Sequence, residues 1–245
     1  MLLNTFKTWV IVLGVLLASS VTSTGQTFKG CGAFINSNGD ILTSTQVIGE
    51  PSDSIIVQDY RSTFHHATIK KIDNVNGLAL ISIKEKMIDC AYLRMHDEEV
   101  DVFPPVVGEL SSVIGYIKGL FTPRGALVGE VADPYLPYGH FRVRMGCAYN
   151  CSGAPILDDY AMLIGIIAKG TTENDTVKQD STYEPPAIYG LDATLILPFL
   201  DNAKVEVAFS DKFDPYKLKH LDQMERIDKA VIIGGVFTVL IFDKK

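Results

Sequence analysis

The sequence predicts an all-β chain, a sandwich or barrel built from many short strands. Three observations point there. Apolar, β-branched runs recur at roughly 8–12-residue spacing from Phe28 onward. Turn residues separate these runs. No helical pattern intervenes before Tyr189.

The elements follow in order. Gly30 to Ile35 (GCGAFI) is the first run, followed by NSNGD and then ILTST. Asn38-Gly39 favours the positive φ angles of a tight hairpin, so the two runs pair as strands. SIIVQDY, HATIKKI and LALISIK complete a first group. The charged stretch His96 to Asp101 and Pro104-Pro105 then break the pattern, and a division into two lobes is expected near Val102 to Gly108. SSVIGYI, GALVGEVA, HFRVRM and MLIGIIA form the second group. Asp192 is placed to cap a helix over the apolar run that follows it, and Pro198 argues against a long one. Ser210 to Lys229 is charged, either helical or loose. Ala230 to Phe242 is apolar but shorter than the roughly 20 residues of a membrane span, and is expected as a packed strand or buried tail. Residues 1–25 thus read as a leader, 26–205 as the β domain and 206–245 as a C-terminal tail.

Composition bounds the function. Of 245 residues, 47% are hydrophobic and 21% charged, which is globular and sufficient for one substantial core. The net charge is -7 and no Lys/Arg cluster stands out, so a nucleic-acid surface is excluded. Lys7, the apolar run Trp9 to Ala18 and the small residues after it have the layout of a secretory signal. Secretion or a luminal location is expected, with an uncleaved membrane anchor as the alternative. Cys31, Cys90, Cys147 and Cys151 form no CxxC pair, so neither a metal site nor a redox motif of that type is expected. An oxidising compartment allows disulfides among them, in three full pairings. Asn174-Asp175-Thr176 is a glycosylation sequon.

The most specific motif is NCSGAPIL, Asn150 to Leu157. A serine followed by glycine, a small residue and proline is what a protruding nucleophile turn needs. Small neighbours let backbone N–H groups converge on an oxyanion. The flanking blocks carry a wider likeness. Gly30 to Ile35, Gly39 to Thr43, Leu78 to Ile81, Val107 to Gly115, Gly125 to Val131 and Leu163 to Ile166 resemble, in order, segments of the Deg/HtrA proteases within the trypsin-like fold. That resemblance runs from about Gly30 to about Leu200 and includes no recognisable PDZ module. It implies two six-stranded antiparallel β-barrels, no cofactor, no metal, and Ser152 at the nucleophile position.

The departures from the family pattern bear on chemistry. Gln46 stands where the family has its histidine, and Gly77 where it has its aspartate. A carboxamide can hydrogen-bond Ser152 but cannot take its proton. Asp73 lies four residues before Gly77 and reads as a turn residue. The five histidines, His65, His66, His96, His140 and His220, read as structural or solvent-facing. Asn150 replaces the glycine that shapes the oxyanion turn, which Asn150 and Ser152 would form. Cys151 precedes the serine and either bonds Cys147 or is buried as a small apolar residue. The expected function is therefore an inactive serine-protease homologue that binds peptides or proteins. The alternative is an active serine endopeptidase using Ser152 with an unusual base.

Overall fold

A computed structural model describes residues 26–49, 54–87, 89–94, 105–115, 125–136, 139–145, 151–169, 187–210 and 224–244. Five strands open the chain: β1 (Gln26–Phe34), β2 (Asp40–Ser44), β3 (Ser54–Gln58), β4 (Phe64–Asp73) and β5 (Leu78–Ile83). The predicted hairpin joins β1 to β2, with Gly39 at φ +83°. A short helix, α1 (Thr45–Ile48), follows β2, and a short strand, β6 (Leu93–Arg94), follows β5. Six more strands come next: β7 (Leu110–Gly115), β8 (Gly125–Leu136), β9 (His140–Arg144), β10 (Pro155–Asp158), β11 (Leu163–Lys169) and β12 (Ala187–Asp192). Helix α2 (Ala193–Asn202), strand β13 (Phe209–Ser210), helix α3 (Arg226–Phe237) and strand β14 (Thr238–Lys244) complete the chain.

The strands close into two six-membered antiparallel barrels, as expected for a trypsin-like fold. Barrel 2 runs β7-β8-β9-β12-β11-β10 and closes by pairing β10 with β7. The short strands β6 and β13 attach in parallel beside β11. Barrel 1 runs β14-β1-β2-β5-β4-β3 and closes by pairing β3 with β14. Placed in that order, the two barrels have the same topology. In barrel 2 the first strand, β7, comes first in the chain. In barrel 1 the first strand is β14, which comes last. Barrel 1 is therefore circularly permuted relative to barrel 2, and Gln26 at the start of β1 pairs with Lys244 at the end of β14.

That placement revises the division of the chain. Residues 206–245 were set apart as a tail, because charge separates them from the earlier strands. The apolar stretch Ala230 to Phe242, expected as a packed strand or buried tail, contributes the last two turns of α3 and most of the barrel strand β14. Val239, Leu240 and Ile241 are at most 1% exposed. Helix α3 lies against β7 and β10, and Gly234 makes that approach possible. A side chain begun at Gly234 would stand 2.4 Å from Leu157 Cδ1 and 2.8 Å from Ile114 Cγ1. Arg226 anchors the other end of the helix: it pairs with Asp159 at 3.0 Å and stacks 4.7 Å above the Tyr160 ring.

The Asp192 cap forms as read from the sequence, its side chain accepting from Thr194 N at 2.8 Å. Helix α2 nevertheless runs through Pro198. Its buried face of Ala193, Ile196, Phe199 and Leu200 packs on the core and outweighs the lost backbone bond. Between the barrels the packing interlocks. Cys31 and Leu240 of barrel 1 belong to the cluster of Phe141, Val143 and Ile156 inside barrel 2. Leu163, Ile166 and Leu191 of barrel 2 belong to the cluster around Phe34, Leu42 and Leu80.

Two predictions follow from this architecture. A circular permutant that joins Lys244 to Gln26 through a short linker, with new ends opened between Ser210 and Met224, should fold with an unchanged circular-dichroism spectrum. Failure to fold would show that the connection opened there is needed for the strand order. The second concerns Asp158, which is 3% exposed and 3.7 Å from Arg94. Burial pushes its carboxyl up to about 6, against the lowering by bonds from Met162 N and Tyr160 N. The native state thus holds a proton that the unfolded chain has released, so stability falls as pH rises from about 4 to about 6. The Asp158→Asn variant should flatten that slope, worth up to about 3 kcal/mol, in urea melts across this range.

Candidate active site

Ser152 occupies the second position of a tight turn from Cys151 to Ala154. Ala154 N donates to the Cys151 carbonyl at 2.9 Å, and Gly153 has φ +76°. This combination is a type II turn, which calls for glycine at its third position. Gly153 N donates to Ile167 O at 2.8 Å, and Ile167 N to Ala154 O at 2.9 Å, so the turn is tied to β11. Ser152 stands half-buried at the apex of a fixed turn.

The turn is seated directly on barrel 1. Cys31 N donates to Ser152 O at 2.8 Å. Thr43 Oγ1 donates to the Cys31 carbonyl at 2.6 Å, which orients that strand. A side chain begun at Gly153 would stand 2.2 Å from Thr43 Oγ1 and 2.3 Å from the Cys31 carbonyl. One begun at Gly30 would stand 2.6 Å from both the Ser152 carbonyl and Val47 Cγ2. Sequence reading named Gly153 as a small neighbour and missed Gly30, Cys31 and Thr43. The Gly30-Cys31-Gly32 run was the available signal, since closely spaced glycines in a strand mark a close backbone approach.

Gln46 lies on α1. Val47 and Ile48 anchor that helix in the core, and Gln46 is exposed. Its neighbours reach both other positions. Val47 touches the space beside Ser152 O across Gly30, and Thr45 N donates to Gly77 O at 2.9 Å. The residues on either side of Gln46 thus touch the Gly77 turn and the space beside the Ser152 carbonyl. Gly77 has φ +76°, and a side chain begun there would meet only Leu191 Cδ1, at 3.8 Å. Space for a side chain exists, but the conformation is one that only asparagine and aspartate tolerate at modest cost. Asp73 is occupied in its own turn. It accepts from Asn76 Nδ2 at 2.7 Å, Val75 N at 3.0 Å and Asn76 N at 3.1 Å. Those bonds, the Asn76 side chain first, hold its carboxyl below the ordinary range.

The described histidines sit on other elements. His65 bridges two carboxylates, with Nε2 3.2 Å from Asp59 and Nδ1 3.4 Å from Glu85. His65 and the exposed His66 lie near the start of β4, whereas Gly77 adjoins its end. At the rise of an extended strand, that separation is more than roughly 20 Å. His140 pairs across the sheet with Leu191, the residue that faces Gly77. Cys151 is fully buried, which pushes its thiol up to about 12 and keeps it protonated at neutral pH. Asn150, Cys147, His96, His220 and the Asn174 sequon lie outside the described residues. Among the described residues, no group of three or more His, Cys, Asp or Glu is arranged to hold a metal ion, and no helix is long and apolar enough to cross a membrane.

No protein-family model and no curated protein sequence matches the chain. Solved structures do. An HtrA-type protease, AlgW, solved with a decapeptide, superposes with a TM-score of 0.58 at 17% identity, over 72% of this chain and 51% of that one. The serine endoprotease from Yersinia pestis gives 0.55 at 17% identity, over 71% of this chain and 57% of that one. The chain thus spans little more than half the length of these proteins. At this identity the likeness establishes the fold, the paired barrels of the chymotrypsin-like HtrA proteases.

The seating of the turn yields a direct test. The Gly153→Ala variant should lose at least about 2 kcal/mol of stability in urea unfolding, from the positive φ and the collision with Thr43 and Cys31 together. An Ala variant as stable as the parent would mean that the two barrels do not meet there.

Proposed function

We propose that this protein is a catalytically inactive homologue of the trypsin-like serine proteases, with Ser152 at the nucleophile position and no base to activate it. The protease-like fold supports the reading. The observation behind it is that the Ser152 carbonyl and Val47 of α1 flank Gly30, while Thr45 of the same helix bonds to the Gly77 carbonyl. In this reading Gln46 holds the place of the histidine and Gly77 that of the aspartate. A carboxamide does not accept a proton near neutral pH, so the Ser152 hydroxyl stays protonated and is a poor nucleophile. Loss of the base in a serine protease costs on the order of 10⁶ in turnover. An oxyanion turn at Asn150 and Ser152 would leave roughly 10³–10⁴ over water, too little for a working protease.

The function left to such a fold is binding. A cleft between barrels that has lost its chemistry still offers strand edges to an extended peptide or protein segment. Residues 1–25 would deliver the protein to the secretory pathway, where it acts secreted or luminal; retained, they would anchor it to a membrane. Nucleic acid is not a partner in this reading. The second reading, an active endopeptidase, rests on His140. Its strand neighbour Leu191 faces Gly77, which makes His140 the residue to examine for an unusual base.

One experiment separates the two. Purified protein should hydrolyse casein and peptide substrates no faster than its Ser152→Ala variant, and a fluorophosphonate probe should leave Ser152 unlabelled. The Gln46→His variant should remain inactive. Only Gln46→His with Gly77→Asp supplies both a base and a carboxylate to orient it, and the positive φ at Gly77 limits what that pair can recover. Ser152-dependent turnover that disappears in His140→Ala would overturn the pseudoprotease reading.

A further inference from the structure

Two cysteines lie on opposite barrels directly behind the Ser152 turn. Cys31 on β1 and Cys151 ahead of β10 are both 0% exposed. They share one buried cluster with Val113, Ala154 and Leu240. A side chain begun at Gly115, the last residue of β7, would stand 3.1 Å from Cys31 Sγ and 3.4 Å from Cys151 Sγ. Both sulfurs therefore crowd the one space that this glycine leaves open. The bond from Cys31 N to Ser152 O, at 2.8 Å, holds the two chain segments at hydrogen-bonded spacing. The two sulfurs, 3.1 Å and 3.4 Å from one point, stand at most about 6.5 Å apart, within reach of each other for a disulfide, whose Cα atoms span about 4.4–6.8 Å. Cys90 belongs elsewhere: half-buried, it packs against the other core cluster, around Phe34 and Leu80.

We infer that Cys31 and Cys151 are a redox-responsive pair whose oxidation forms a disulfide across the barrel interface, joining β1 to the turn that carries Ser152. The co-reactant is a small disulfide such as oxidised glutathione. One cysteine thiolate attacks it, forming a mixed disulfide and releasing one reduced thiol. The second cysteine thiolate then attacks the protein sulfur of that mixed disulfide and releases the second reduced thiol. Two protein thiols are oxidised, one small disulfide is reduced, and the two cysteine protons pass to the released thiolates. Burial and the raised thiol of Cys151 keep thiolate scarce in the native state. Exchange therefore proceeds during folding, before the sulfurs are covered, or through transient parting of the barrels. Oxidised, the turn is held to barrel 1 covalently; reduced, it is held by backbone bonds and packing.

The test is a peptide map. The protein is refolded in a glutathione buffer with the oxidised form in excess, alkylated, and digested without reduction. A linked peptide containing Cys31 and Cys151 is the expected product. The oxidised protein should melt roughly 5–10 °C above the dithiothreitol-reduced one, given the long loop enclosed. Cys31→Ser should abolish that difference and Cys90→Ser should keep it. A Cys151 linked to Cys147 or Cys90, or four cysteines recovered alkylated or glutathionylated, would overturn the inference. If Cys31→Ser fails to fold, the map of the parent protein and the Cys90→Ser melt still decide.

Discussion

The arrangement depends on a contact between backbones with no side chain to cushion it. Gly153 of barrel 2 lies against the Cys31 carbonyl and Thr43 of barrel 1, closer than any Cβ could stand. Gly30 answers from the other side, against the Ser152 carbonyl and Val47. Together these two glycines set the spacing between barrels, and the bond from Cys31 N to Ser152 O sets its register. The rest follows from that spacing. The helix carrying Gln46 is fixed because Val47 fills the space beside Gly30. The Gly77 turn is fixed because Thr45 N bonds its carbonyl. The Ser152 turn, the helix carrying Gln46 and the Gly77 turn are thereby linked through β1 and α1.

If the chain is the inactive homologue proposed above, the scaffold of a hydrolytic site and its chemistry are separable. Geometry comes from glycines, backbone bonds and buried Val and Ile, none of which takes part in proton transfer. In the proposed pseudoprotease reading the chemistry would depend on two side chains, and Gln46 and Gly77 at those positions do not titrate. The φ of +76° at Gly77 suits glycine, so an acid placed there would bring strain with it. Asp73, the nearest carboxylate in the chain, is committed to three bonds within its own turn.

What the sequence made readable was local. Alternation and turn residues place the strands, Asn38-Gly39 places a hairpin, Asp192 caps its helix, and Ser152-Gly153 forms the tight turn. Each of these is decided by a few adjacent residues. What was not readable was pairing between distant segments. Nothing in Thr238 to Lys244 says that its neighbours are β1 and β3, because strand propensity carries no address. The same holds for Cys31 and Cys151. Their proximity comes from a barrel interface, and cysteine spacing alone leaves every pairing open. Pro198 argues only against a long helix, and α2, of ten residues, runs through it because tertiary burial outweighs the local penalty.

The position of β14 has a consequence for biosynthesis. All six strands of barrel 2 lie in one continuous stretch of chain, so that barrel can close while translation proceeds. Barrel 1 cannot. Its strands β1 and β3 leave the ribosome early and wait for a partner that is made after every other strand. Until then both present unpaired N–H and C=O groups, the condition under which nascent chains pair with the wrong neighbour. Closure also joins residues at opposite ends of the described chain, Gln26 to Lys244, the slowest kind of contact to form. This molecule should thus depend on protection of its early strands by chaperones more than a protein with the same barrels in unpermuted order.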